Sequence, residues 1–306
     1  MFSILILNPG STTTKCAVFN DECCIYQHTI EHTHEELSAF AQVIDQYAYR
    51  KEKVLEVLQK EGIPLAFDAV IGRGGLTRPV CAGCYGFNQH MLNDTRKAVY
   101  QHACNLGSFM ALDLAKDLPN CLALVADPGI VDEMYDEAHI SGLPELPRIC
   151  IWHALNQRAI ARRFAREQGT TYEALNLIIC HAGGGISVAA HEKGRAVDAN
   201  NALDGEGTFS PTRAGSLPAG DLVRLCYSGK YSEKELIKRI TSTGGLTAHL
   251  NTNDLREVLA RCEKGEERAK QVLAAMLYHT AKQIAAEGAV LCGKVDAILL
   301  TGGMAH

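Results

Sequence analysis

The sequence predicts an α/β protein built from two related domains, and three observations carry that expectation. An apolar strand near the start of the chain runs straight into a small, hydroxyl-rich turn. A second apolar strand, in the other half, runs into a glycine-rich turn. Each turn is followed by two more short strands and then by helical patterns. Internal repetition constrains architecture more than any single element does. Any two hairpins look alike at this level, so the weight rests on the matching order. With 306 residues the chain can hold two domains of about 150 residues each.

The first strand, Ile4-Leu5-Ile6-Leu7, enters Asn8-Pro9-Gly10-Ser11-Thr12-Thr13-Thr14-Lys15. These residues suit a phosphate. Gly10 permits close backbone approach, the hydroxyls of Ser11 to Thr14 can donate, Lys15 supplies a point charge, and Asn8 offers a neutral polar group near a metal. Walker A spacing is absent, and apolar Cys16 to Phe19 follows where a helix would begin, so the turn reads as a hairpin tip. Such a turn can equally be only a turn. Strands through Val18-Phe19 and Cys24-Ile25-Tyr26 complete the triplet. A helical stretch follows from about Glu35 to Lys60, with Leu37, Phe40, Ala41, Ile44, Tyr47, Ala48, Val54, Leu55 and Leu58 at helical spacing, ended by Gly62 and Pro64. Ala66 to Ile71 reads as a buried strand delivering Gly72-Arg73-Gly74-Gly75 at its carboxyl end, where open α/β sheets place ligands. Helices are expected at Gln89 to Gln101 and Leu106 to Leu118, and a strand at Cys121 to Ala126 that ends on Asp127-Pro128-Gly129.

The second half begins near Ile151, dividing the chain into domains 1–150 and 151–306. It opens with a helix from Ala154 to Gln168. Leu177-Ile178-Ile179-Cys180 then enters His181-Ala182-Gly183-Gly184-Gly185, followed by strands at Ile186 to Ala190 and Ala196-Val197. Mainly helices follow. The longest, about Glu266 to Leu291, carries Ala269, Val272, Leu273, Met276, Leu277, Thr280, Ile284 and Ala285 on one face, a stripe that reads as packing. The last strand, Asp296 to Leu300, ends on Thr301-Gly302-Gly303.

Hydrophobic residues make up 47% of the chain, enough for real cores, and the net charge of -5 argues against a nucleic-acid binder. The apolar amino terminus lacks a basic leader and breaks at Pro9, so it reads as a strand and not a signal peptide. No run reaches the roughly 18 apolar residues of a membrane span, and a cytoplasmic location is expected. The twelve cysteines are scattered, with Cys16, Cys104, Cys150, Cys180, Cys262 and Cys292 in predicted elements, and read as reduced thiols acting as small hydrophobes. Cys81-Ala82-Gly83-Cys84 has zinc or redox spacing but no second pair, and reads as a glycine-containing hairpin loop.

Six motifs, in order along the whole chain, carry a resemblance. They are Ile6 to Lys15, Gly72-Arg73-Gly74-Gly75, Trp152-His153-Ala154-Leu155-Asn156-Gln157, His181 to Gly185, Phe209-Ser210-Pro211-Thr212-Arg213-Ala214-Gly215 and Leu300-Thr301-Gly302-Gly303. Together they resemble the butyrate kinases, in the acetate kinase group of the sugar kinase, Hsc70 and actin superfamily. The resemblance implies two actin-like, ribonuclease H-like domains of duplicated β-β-β-α-β-α topology around an interdomain cleft. It implies reversible phosphoryl transfer from ATP, with Mg²⁺, to a short or branched fatty acid, giving acyl phosphate and ADP, and a homodimer or higher homo-oligomer. Family members continue past the Thr-Gly-Gly turn and supply a further acidic residue associated with magnesium, whereas this chain stops at Met304-Ala305-His306. A C-terminally truncated protein with weak nucleotide binding and slow turnover is therefore expected. A non-catalytic nucleotide-binding protein is the alternative, and a sugar kinase a weaker one.

The resemblance places Asn8, Ser11, Thr12 and Lys15 on the phosphate and metal side, His181, Gly183, Gly184 and Gly185 in a second phosphate loop, and Gly302 and Gly303 beside adenosine. Arg73, Asn105, His153 and Arg213 would surround the carboxylate and the transferred group, with Trp152 a wall of the acyl pocket. A carboxylate nucleophile is already ionised at neutral pH, so catalysis reduces to positioning and charge neutralisation. Arg73 and Arg213 have the forked donors that match carboxylate and phosphate oxygens, although a loop arginine is equally a solvated charge. His153, at a helix start, is equally a capping or core histidine. Asp127 matches the residue the family is described as using in acid–base catalysis; with an ionised nucleophile, metal or water positioning alongside Asn8 is expected instead. Asp204 is a second acidic candidate, although Asp-Gly is most often a turn.

Overall fold

The computed structural model describes residues 1–75, 78–98 and 102–305. The chain forms two compact units, Met1–Val131 and Asp132–His306.

In the first unit, β1 (Ser3–Pro9), β2 (Thr13–Asn20) and β3 (Cys23–Glu31) form an antiparallel meander. β4 (Ala69–Gly72) and β6 (Leu122–Ala126) add parallel strands, and β5 (Cys84–Gly86) closes the order β3-β2-β1-β4-β6-β5. The carboxyl ends of β1, β4 and β6 therefore sit side by side. Leu5 and Leu7 of β1 and Val70 of β4 are buried against Val54 and Leu58 of α2 (Tyr47–Lys60) and Leu106 and Met110 of α4 (Leu106–Ala115). Two shorter helices, α1 (His34–Ser38) and α3 (Gln89–Lys97), complete the unit.

The continuous helix expected from Glu35 to Lys60 is three pieces: α1, a short 3₁₀ turn at Val43–Gln46, and α2. The apolar spacing persists across the break, but side chains compete for the backbone. Thr33 and Glu36 close a capping box on α1, and the Asp45 carboxylate accepts the Gln42 N–H at 3.0 Å, starting a new helix. β4 starts at Ala69 and not Ala66, and α4 ends at Ala115. The last residues of the helix expected to reach Gln101 lie outside the described residues, and α3 ends at Lys97.

The second unit repeats the plan. β7 (Asn176–Ala182), β8 (Ile186–Glu192) and β9 (Arg195–Ala199) form a meander, and β10 (Ala297–Thr301) lies parallel to β7, giving β10-β7-β8-β9. This is the order β4-β1-β2-β3 of the first unit, so the duplication expected from the sequence is present. β7 is buried on both faces. Leu177 and Ile179 meet Ala161 and Ala165 of α6 (Ala154–Glu167), while Ile178 and Cys180 meet the helical layer. After α5 (Asp136–His139) and α6 come α7 (Ala219–Cys226), α8 (Glu233–Thr241), α9 (Gly245–Leu250), α10 (Leu255–Glu263) and α11 (Glu267–Val290), of which α9, α10 and α11 supply that layer. On α11, Ala269, Val272 and Met276 are buried, but Leu277, expected on the same face, is exposed.

Residues 132–150, counted with the first half in the sequence reading, belong to the second unit. The Tyr135 N–H donates to the Val197 carbonyl at 3.0 Å, and Arg148 bridges Asp198 and Glu206 at 2.8 and 3.1 Å. No helix among the described residues is long and apolar enough to cross a membrane. Cys16 and Cys180 are buried and their thiols pushed up to about 11 by desolvation, whereas Cys292 is exposed and Cys262 intermediate.

Candidate active site

The first unit gathers its candidates at the carboxyl ends of three neighbouring parallel strands. Asn8 lies one residue before the end of β1, β4 delivers Arg73 and β6 delivers Asp127. With neighbouring strands about 4.8 Å apart, these ends span about 10 Å. The Arg73 Nη1 donates to the Asn8 Oδ1 at 3.2 Å, and the Arg73 N–H to the Leu7 carbonyl at 2.8 Å. Glycines permit this crowding. A Cβ on Gly72 would lie 2.1 Å from the Gly107 carbonyl oxygen, so β4 and the start of α4 touch through backbone alone, and one on Gly75 would lie 2.9 Å from the Asn105 Oδ1. Asn105, buried just before α4, is thereby held beside the Arg73 turn. Asp127 is buried with a left-handed backbone (φ +37°), and its Oδ1 accepts the Gly83 N–H at 2.9 Å while its own N–H donates back to the Gly83 carbonyl. Cys81 and Cys84, flanking that glycine, are exposed and free.

The hydroxyl-rich turn is fixed from behind by a residue that the sequence reading missed. Arg50 of α2 is fully buried and donates to the carbonyls of Gly10, Ser11 and Thr13 at 2.8, 3.0 and 2.9 Å, as well as to Gln46. In a trans peptide the C=O and the following N–H point in opposite directions. Drawing the Gly10 and Ser11 carbonyls toward Arg50 therefore turns the Ser11 and Thr12 N–H groups away from it, an arrangement that suits an anion. Lys15 pairs across the ladder with Asn8, and both line a cleft of about 470 Å³ with Ile6, Ala17, Gln27 and Thr29. The signal for Arg50 was present: a cation in phase with the buried residues Val54 and Leu58.

In the second unit the carboxyl ends of β7 and β10 are neighbours, with Thr301 opposite His181. Gly302 has φ +91°, and a Cβ there would lie 2.3 Å from the Ala182 carbonyl oxygen, so the Thr-Gly-Gly turn rests directly on the glycine loop. The Gly184 carbonyl is drawn back by the hydroxyls of Ser210 and Thr212 at 2.6 and 3.0 Å. Gly185 makes room for Arg213, since a Cβ there would lie 2.2 Å from the Arg213 Nη1, and that nitrogen also donates to the Ala202 carbonyl at 2.6 Å. Asp204 is raised by burial, partly offset by Asn201 and the Arg213 charge.

His153, at the start of α6, stacks on His181 with ring centroids 3.8 Å apart and planes 12° from parallel. His181 Nδ1 lies 2.7 Å from Asn156 Oδ1, and His153 Nδ1 lies 2.8 Å from Ser187 Oγ. Trp152 is only 4% exposed and packs edge-on to His191, so its ring belongs to the interior of the unit and offers little surface to an acyl chain. Ser187, Gln157 and His191, all fully buried, were also missed by the sequence reading.

A magnesium ion is implied by the fold family. Among the described residues no group of three His, Cys, Asp or Glu side chains could hold a metal. Magnesium usually takes one or two carboxylates and completes its shell with phosphates and water. The hard oxygen donors of Asn8 and Asp127, at the ends of the strands on either side of β4, fit an ion that arrives with a nucleotide.

The acetokinase family profile matches residues 149–306. The chain belongs to the acetokinase family. A protein of Bacteroides thetaiotaomicron named "Probable butyrate kinase" is 58% identical over 303 residues, covering 99% of this chain and 86% of that one. "Butyrate kinase 2" of Clostridium acetobutylicum is 48% identical, covering 100% and 86%. Among solved structures, Porphyromonas gingivalis acetate kinase superposes with a TM-score of 0.79 at 20% identity, over 99% of this chain and 84% of that one. A propionate kinase from Francisella tularensis gives 0.77 at 18%, with the same coverage. These superpositions establish the acetate kinase fold for an acetokinase-family chain.

Proposed function

We propose that the chain is an ATP-dependent kinase of short-chain carboxylates, with butyrate as substrate, forming acyl phosphate and ADP reversibly. The observation that carries this reading is identity of 45–58% to proteins named butyrate kinases across essentially the whole chain. The relatives give no support to the non-catalytic alternative. In the reaction a carboxylate oxygen attacks the γ-phosphorus, the bond to the β,γ-bridging oxygen breaks, and ADP leaves with the electron pair. No proton need move, because the nucleophile is already an anion.

The residues then divide by task. Arg73 and Asn105 orient the carboxylate; Asn8, Ser11, Thr12 and Lys15 meet phosphate oxygens. His181, Gly183, Gly184 and Gly185 hold the nucleotide phosphates, Gly302 and Gly303 flank the adenosine, and His153 and Arg213 donate to the transferred group. Asn8 and Asp127 would hold a magnesium ion that neutralises nucleotide oxygens. Hydroxylamine trapping of acyl phosphate from butyrate, ATP and Mg²⁺ tests the reading. Hydroxamate formed with butyrate, and no phosphorylation of sugars, is the expected result. ATP binding without hydroxamate would overturn it.

A further inference from the structure

A chain of buried polar side chains ends on His153, and one backbone carbonyl fixes its direction. Gln157 Nε2 lies 3.2 Å from the Ser187 carbonyl and 2.9 Å from Ser187 Oγ. A carbonyl only accepts, so the amide nitrogen of Gln157 faces Ser187 and the amide oxygen faces the other way, toward His191 Nε2 at 3.0 Å. That nitrogen must donate. His191 is fully buried, and desolvation together with the nearby Arg158 charge lowers it to about 3, so the ring is neutral and its Nδ1 accepts from the Tyr172 hydroxyl at 2.5 Å.

At the other end, Ser187 Oγ accepts from Gln157 Nε2 and from the His153 backbone N–H at 3.3 Å. Two donors occupy its two lone pairs. The hydroxyl proton therefore goes to the remaining neighbour, His153 Nδ1, at 2.8 Å. An imidazole that accepts at Nδ1 carries its proton on Nε2.

We propose that Ser187 and Gln157, anchored by His191 and Tyr172, are positioning residues that hold the neutral His153 ring as the Nε2–H tautomer, aiming a hydrogen-bond donor at the transferred phosphoryl group. The proposal rests on the reading of His153 as that donor. A ring of the other tautomer would present a lone pair to an anionic oxygen, which repels it.

The tautomer is measurable without substrate. Long-range ¹H–¹⁵N correlation spectra of the full chain labelled at histidine, recorded at pH 8 and assigned with His153→Asn, should show His153 Nδ1 unprotonated and Nε2 protonated. In Ser187→Ala the preference should be lost, and kcat with butyrate should fall about tenfold or more with the KM for ATP nearly unchanged, as for a donor used in the transition state. Tyr172→Phe, which leaves the Ser187 contacts intact, should shift the His191 resonances more than those of His153. A proton on His153 Nδ1 in the unsubstituted chain overturns the proposal, as does a Ser187→Ala protein with unchanged tautomer and unchanged kcat. Failure of the butyrate kinase reading would appear separately, as absent hydroxamate from a chain whose His153 tautomer is as expected.

Discussion

Glu287, near the end of α11, should contribute progressively less to the stability of the second unit as pH rises, and replacing it with glutamine should remove that contribution. Its side chain is only 2% exposed; Oε1 accepts from Gln283 at 2.8 Å and Oε2 has no partner among the described residues. Desolvation is the main cause that raises its carboxyl from 4.5 to about 7. The Asp198 and Glu206 charges add to the rise, and Gln283 and Arg148 oppose it. In the unfolded chain this carboxyl ionises near its ordinary value. Between the two values the native state holds a proton that the unfolded state has released, so the Glu287 contribution to stability falls as pH rises through that window and is level on either side of it. At about 1.4 kcal/mol per pH unit, the full loss is about 3 kcal/mol.

Glu287→Gln keeps the shape and the hydrogen-bonding capacity without the charge. Its advantage over the unsubstituted chain should be near zero at pH 4.5 and approach about 3 kcal/mol above pH 7. Urea denaturation at pH 5 and pH 8 can be followed by Trp152, the single tryptophan, which is buried in the same unit. A difference in stability that does not change with pH, or a variant less stable at pH 8, would refute the reasoning.

Arg50→Met should release the hydroxyl-rich turn, raising the KM for ATP about tenfold and costing about 2 kcal/mol or more of stability, since several buried carbonyls lose their donor; Arg50→Lys should restore little, because one ammonium cannot replace the fork. Steady-state kinetics and a denaturant titration check both, and an unchanged KM in a folded variant counts against the tether. Arg73→Ala and Arg213→Ala should each lower kcat about a hundredfold with smaller effects on ATP affinity, and near-normal turnover in both would remove them from the reaction. Asp127→Asn should raise the Mg²⁺ concentration needed for half-maximal rate while leaving the acidic limb of the pH–rate profile in place. Loss of that limb at unchanged Mg²⁺ affinity would make Asp127 an acid–base group.

What could be read from the sequence was local. The strand triplets are short apolar runs broken by tight turns, and Leu177 to Cys180 announces a strand without reference to anything distant. The strand-end residues Asn8, Arg73, Asp127 and His181 could be found too, because parallel strands bring their carboxyl ends together whatever the loops do. The break near Gln42 could not, because Asp45 competes for a backbone N–H within an apolar spacing that looks continuous. Nor could the supporting residues. Arg50 acts on carbonyls 37 to 40 positions away, and Ser187 acts on a histidine 34 positions before it. Only weak signals were available: a cation on a buried helical stripe, and Ser187 and His191 on one face of a strand that is apolar at Ile186 and from Val188 to Ala190.

The supporting residues do more than hold shape. A turn of small residues can present either carbonyl oxygens or N–H groups to a ligand, and the two choices have opposite electrostatic sign. Glycine and hydroxyl content leaves that choice open. In the first unit Arg50 makes it, by drawing the Gly10, Ser11 and Thr13 carbonyls to the buried side. In the second unit the neutral hydroxyls of Ser210 and Thr212 do the same to Gly184, which turns the Gly185 N–H the other way. Arg50 also leaves a positive charge behind its turn, and its hydrogen-bond acceptors among the described residues are neutral. Among the described residues the hydrogen bonds to the Gly184 carbonyl come from neutral hydroxyls, and Arg213 lies against Gly185. The duplicated fold therefore reaches the same electrostatic result, a turn whose N–H groups are directed away from its anchoring side chains, through unrelated residues on its two copies.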